Sequence, residues 1–190
     1  MSNKPYKIMV DSGHGGHDPG AISPHYGIAE KEIVLRMALM FRDYISESDY
    51  LYSVLLTREE DVFIPLPKRC DKANNAGVDL FVSFHCNASE NQSAKGIEVF
   101  FYPGSEQSKL LAAEVYRDLL TMIEGHDGRG IKEGKYYVLK FTKMPAILIE
   151  FEFISNEEQA KFLADKDNQL LMIQSVADSL EYFLESGEHE

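Results

Sequence analysis

Two hydrophobic periods alternate along this chain, and that alternation restricts the folds open to it more than any other feature. Short runs rich in Val, Ile, Phe and Tyr, bounded by Gly, Pro, Asn or Asp, read as strands at Tyr6–Asp11, Leu51–Thr57, Leu80–His85, Gly96–Tyr102, Tyr136–Lys140 and Ala146–Phe151. Between them, apolar residues return at three- and four-residue steps, predicting helices at Glu30–Ser46, Pro67–Asn75, Glu106–Glu124, Asn156–Leu163 and Asp167–Leu184. Strands separated by helices imply an α/β fold: a mostly parallel twisted sheet of about six strands with helices on both faces. At 190 residues the chain has material for one such core, so residues 1–190 are expected to form a single domain, with 183–190 a frayed polar tail.

Charge and hydropathy remove several function classes. A formal net charge of −12 argues against binding nucleic acid or an anionic membrane surface. No apolar run approaches the length of a membrane span, and "MSNKPYKIMVDSG" shows no basic-then-apolar secretory leader. Cys70 and Cys86 make neither a disulfide framework nor a metal knuckle; Cys86 reads as a small buried residue at a strand end.

Parallel sheets carry their chemistry in the loops beyond the carboxyl ends of the strands. Three apolar runs deliver a candidate there: "IMVDSGH" ends at His14, "LFVSFH" at His85 and "AILIE" at Glu150, while Glu30 opens the first long helix. Two histidines and a carboxylate are a known ligand set of catalytic zinc, and a further carboxylate can serve as general base. Taken singly, a loop histidine is as readily a turn residue, and a glutamate in a first helical turn a response to the helix dipole. Glu150 has the least ordinary explanation, because a carboxylate closing a buried strand is costly without a partner. His17 ranks below His14, since Gly15 and Gly16 leave the pair no fixed relative orientation, and Asp18 in "HDPG" reads as a turn residue. No G-x-S-x-G elbow is present, and nothing local activates Ser83 or either cysteine.

The segments "DSGHGGHDPGA" (11–21), "EKEIVL" (30–35), "LLTREEDVFIPLPKRCDKAN" (55–74), "DLFVSFHCNA" (79–88), "GIEVFFY" (96–102), "GRGIKEGKYYVLKFTKMPAILIE" (128–150) and "FISNEEQ" (153–159) resemble, in order and spacing, the zinc-dependent N-acetylmuramoyl-L-alanine amidases. These are the type 3 amidases of cell separation, spore cortex and phage endolysins. The resemblance implies a phosphorylase/hydrolase-like α/β domain holding one Zn2+ ion through His14, Glu30 and His85, with Glu150 as the catalytic carboxylate. It implies peptidoglycan as substrate, cut at the amide between the lactyl group of N-acetylmuramic acid and the L-alanine of the stem peptide. A monomer acting at the bacterial cell wall is expected, either a phage lysin or a domain excised from an exported protein. A catalytically inactive wall-binding module and a zinc peptidase cutting another peptidoglycan bond are the competing readings.

The sequence departs from the family at Glu152, where a small residue is usual. If the strand continues, Glu152 shares a face with Glu150 and is the alternative base; the plainer expectation is a strand ending at Phe151 with Glu152 in solvent. Only "GHDG" (125–128) precedes "RGIK", too short for the helical plug that closes the zinc site in some relatives, so an open site is expected. Asn87, His17 and Arg129 are candidate substrate contacts, with Lys132, Lys135, Lys140 and Lys143 nearby. Arg58 and Arg69 are assigned structural pairing with aspartates.

Overall fold

The computed structural model describes residues 6–47, 52–123 and 125–187. In chain order the elements are β1 (Tyr6–Ser12), α1 (Glu30–Ser46), β2 (Tyr52–Leu56), α2 (Leu66–Ala76), β3 (Leu80–Asn87), β4 (Ile97–Phe101), α3 (Glu106–Met122), β5 (Gly128–Glu133), α4 (Tyr137–Phe141), β6 (Ala146–Phe153), α5 (Glu157–Ala164) and α6 (Lys166–Ser186). One six-stranded sheet has the order β2-β1-β3-β6-β4-β5. Strands β2, β1, β3 and β6 are parallel neighbours; β4 pairs antiparallel with β6 and parallel with β5. The pair β4–β5 therefore runs against the other four strands, and its amino-terminal ends lie at the same edge as the carboxyl ends of β1, β3 and β6.

Strand alternation divides the core into two layers. Ile8, Val10, Val82, Phe84, Ile147 and Ile149 pack against α1, α3 and α6. Met9, Phe81, Ala146 and Leu148 face α2 and α4 through Cys70, Ala73, Val138 and Leu139. Helix α1 buries Ile33, Val34, Met37, Ala38, Phe41 and Ile45, the stripe read from its sequence. Helix α2 starts with Pro65 at its cap and stops at Gly77, whose φ of 57° closes the last turn. Asp165 caps α6 by accepting from the amides of Asp167 and Asn168.

Two expectations are corrected here. The run Tyr136–Lys140 is not a strand: Tyr137–Phe141 forms the short helix α4, which buries the adjacent pair Val138 and Leu139. Burial of neighbours in sequence is incompatible with a half-buried strand, so packing against α2 overrides the β propensity of "YYVLKF". The sixth strand is "GRGIKE" instead, a glycine-broken edge with no buried residue, whose alternation is too weak to read. The supposed tail from residue 183 begins inside α6, which runs to Ser186 and buries Phe183 and Leu184; residues 188–190 lie outside the described set, as do Leu51 of the second strand and Glu124 of the third helix.

Candidate metal centre and active site

Beyond Met9 on β1, Phe81 on β3 and Leu148 on β6, alternation along each strand places Asp11, Ser83, His85 and Glu150 in a polar band on the α2/α4 face. Parallel register sets Asp11 beside Ser83 and His85 beside Glu150, and the antiparallel pairing adds Glu98 on the far side of Glu150. His14 enters from the loop after β1, and Glu30 from the first turn of α1.

His14 is the one described non-glycine residue with positive φ, at 61°. A left-handed conformation costs a bulky L-residue of order 1–3 kcal/mol, so its surroundings must impose it. Two buried arginines do so. Arg69 donates to the carbonyl of His14 at 2.6 Å and to that of Ser12 at 2.7 Å, while pairing with Asp11 at 2.7 Å. Arg58 donates to the carbonyls of Ser12, Gly13, Glu60 and Lys31. Arg69 thus has its aspartate as expected, but Arg58 has no aspartate as hydrogen-bond partner among the described residues; it ties the loop to the start of α1 through backbone carbonyls, and so sets Glu30 relative to His14.

The three candidate ligands converge. Glu30 is 3% exposed, with Oε2 lying 3.2 Å from His14 Nε2 and Oε1 lying 2.9 Å from His85 Nδ1. One donor atom from each residue lies within 4.8 Å of the others. Asp18, read from sequence only as a turn residue, has Oδ2 at 3.0 Å from His14 Nδ1, where it fixes the ring and turns Nε2 toward Glu30. Burial opposes charge on His14, but the Glu30 and Asp18 carboxylates outweigh it and raise its pKa to about 9. Burial likewise disfavours charge on Glu30, yet the two histidines hold its carboxyl far below the usual range. Positive charge is therefore favoured at the point where the three groups meet.

Two glycines allow this convergence. A Cβ on Gly13 would stand 2.2 Å from the His85 ring, and one on Gly20 2.6 Å from Glu30 Oε2. The donor set, its orienting carboxylate and these side-chain-free approaches fit a small divalent cation such as zinc.

Glu150 stands beside this triad. It is half-buried, and its Oε2 is buried with no hydrogen-bond partner among the described residues. Burial, with the charges of Glu30 and Glu98, raises its pKa to about 7 despite the opposing pull of His85. A cavity of about 470 Å3 opens over His14, His85 and Glu150, with Phe63, Leu66, Tyr136 and Tyr137 forming an apolar wall.

Glu152 does not point into solvent, contrary to the plainer expectation: β6 continues to Phe153 and Glu152 is fully buried. A bulge sets the three-residue step Glu150–Phe153 against the two-residue step His85–Asn87, which breaks the alternation that would align Glu152 with Glu150. Glu152 instead accepts from the amides of Gly96 and Phe153 and contacts His126 Nδ1 at 2.9 Å. Of the candidate contacts, exposed His17 lies with its ring 4.3 Å from that of Phe63, at the outer edge of the apolar wall. Asn87 and Arg129 both reach Glu98. Glu98 itself escapes a reading of the sequence because it lies near the start of a strand, whereas the rule for parallel sheets points to strand ends.

The comparisons with known proteins agree with this geometry. The family profile for N-acetylmuramoyl-L-alanine amidase matches residues 8–182. The chain is 37% identical over 159 residues to the N-acetylmuramoyl-L-alanine amidase LytC of Bacillus subtilis, covering 82% of this chain and 31% of LytC. It is 39% identical over 163 residues to the endolysin of Bacillus phage SPP1, covering 82% of this chain and 58% of the endolysin. The crystal structure of the N-acetylmuramoyl-L-alanine amidase from Clostridium difficile 630 superposes with a TM-score of 0.93 at 31% identity, over 98% of this chain and all of that one. With one profile spanning His14, Glu30, His85 and Glu150 alike, and a solved amidase sharing the fold from end to end, this chain belongs to the N-acetylmuramoyl-L-alanine amidase family.

Proposed function

We propose that this chain is a zinc-dependent peptidoglycan amidase acting at the bacterial cell wall, and that residues 1–190 carry the catalytic domain. The bond cut is the amide joining the lactyl group of N-acetylmuramic acid to L-alanine. The observation that carries the reading is the unpartnered Oε2 of Glu150 beside the His14–Glu30–His85 triad. A buried carboxylate oxygen without a donor is costly unless a proton or substrate comes to it.

His14, Glu30 and His85 would hold the ion, with Asp18 orienting His14. A zinc ion bound there would supply Lewis acidity and would lower the pKa of water toward about 7. Glu150 accepts the proton of the water that attacks the lactyl carbonyl. A C–O bond forms, the C–N bond breaks, and Glu150 returns the proton to the departing alanine nitrogen. A carboxyl pKa raised to about 7 suits both transfers near neutral pH. Glu152 is not assigned this role, because both of its oxygens already have donors or a histidine partner.

A Glu150→Gln variant is expected to retain one zinc ion per chain and lose about 100-fold or more in release of stem peptides from purified muropeptides. Near-normal turnover by the zinc-loaded variant would remove Glu150 from the mechanism. Mass spectra showing cut cross-links in place of whole stem peptides would move the activity to a different bond.

A further inference from the structure

The polar band does not stop at Glu150. Its cross-strand neighbour on β4 is Glu98, 4% exposed, and a second carboxylate directly opposite the proposed base is unfavourable unless it is neutralised. Arg129 Nε and Lys132 Nζ both reach Glu98 Oε1, the lysine at 2.7 Å, and Asn87 Nδ2 donates to Oε2 at 3.1 Å. One cation would balance Glu98. Two are present, leaving a surplus positive charge beside the reaction centre of a protein whose net charge is −12.

The way Arg129 is held makes that surplus usable. The chain has six arginines. Arg36, Arg42, Arg58, Arg69 and Arg117 each donate through Nε and through at least one terminal nitrogen as well. Arg129 spends only Nε, on Glu98; neither terminal nitrogen has an acceptor among the described residues. Its guanidinium lies 5.1 Å from the Phe153 ring centroid, which holds the plane, and its side chain is 42% exposed. A guanidinium braced on one edge and open on the other has the geometry for bidentate capture of a carboxylate. Lys132, 38% exposed at the side chain, adds a second donor.

Resting on the amidase reading, we propose that Arg129 and Lys132, set by Glu98, form an anion subsite that takes a free carboxylate of the stem peptide and orients the peptide across Glu150. The reversed run of β4 and β5 is what brings Glu98 and Arg129, near the starts of their strands, to the edge where β3 and β6 end.

The test is a ratio measured within each enzyme. Two muropeptides are prepared that differ only in whether the stem carboxylates are free or amidated, and kcat/KM is measured for each. Wild type is expected to prefer the free acid about ten-fold, the effect of one charge-assisted hydrogen-bond pair. In Arg129→Gln the ratio is expected to fall to about one. Because Arg129→Gln strands part of the Glu98 charge, a Glu98→Gln/Arg129→Gln double variant is measured in parallel, and its ratio is expected to remain near one. A wild-type ratio near one, or a ratio that survives in both variants whatever their absolute rates, overturns the subsite while leaving the amidase reading intact. Failure of wild type to release stem peptide from either substrate overturns the amidase reading and the subsite together.

Discussion

At single residues, the site depends as much on side chains that are absent as on those present. Gly20 has φ of +66°, and its missing Cβ leaves room for both Glu30 Oε2 and His14 Cδ2. Gly20→Ala is therefore expected to weaken zinc binding about ten-fold or more while leaving the far-ultraviolet circular dichroism spectrum unchanged. Competition against a chromophoric chelator measures this, and an unaltered affinity would show that the ligands have slack. Glu152 makes the opposite case of a polar residue whose work is structural. Glu152→Ala leaves the Gly96 amide and His126 without a partner, and is expected to cost about 1–3 kcal/mol in denaturant unfolding. Turnover per folded molecule is expected to stay close to wild type; a hundred-fold loss would return Glu152 to the chemistry.

Among elements, the decisive contact joins α2 to the end of β1. Arg69 and Asp11 are each 2% exposed at the side chain, and Thr57 and Ser83 complete the carboxylate's hydrogen bonds at 2.7 and 2.8 Å. Removing one partner of such a pair costs about 3–5 kcal/mol, because the other charge stays buried. Burial alone would raise the Asp11 pKa, but the charge and hydrogen bond of Arg69 hold it below 3.8. A depressed carboxyl pKa contributes stability above the unfolded value, and that contribution is lost as pH falls through the folded value. Asp11→Asn is accordingly expected to be less stable than wild type by about 3–5 kcal/mol at pH 7, with the gap narrowing in acid, below 3.8. Urea titrations across that range check the sign; a gap that widens in acid would contradict it. Element identity was legible where a period was strong, as in α1 and β3. It was misread at "YYVLKF" and "GRGIKE", where a short helix borrows strand-forming residues and an exposed edge strand lacks an apolar face.

For the whole molecule, the proposed zinc site would link metal binding to folding, because His14, Glu30 and His85 come from the loop after β1, the start of α1 and the end of β3 and meet only in the folded state. Zinc at 100 times its Kd is expected to add about 2.7 kcal/mol to stability, with a rise in Tm that a chelator reverses and that His14→Ala lacks. Differential scanning calorimetry reads this, and a Tm indifferent to zinc would count against a site formed by the fold. The sequence by itself determined the parallel α/β layering and delivered His14, His85 and Glu150, because both are written in local periodicity and in the polar residue that closes each apolar run. It was silent on Asp18 as the partner of His14, on the Arg58–Arg69 grip that holds His14 at positive φ, and on the Glu98–Arg129–Lys132 cluster. Those depend on which strands become neighbours, which way each runs and where a bulge shifts the register. Pairing and direction are settled by burying the whole sheet between its helices, and no local stretch of sequence carries that information.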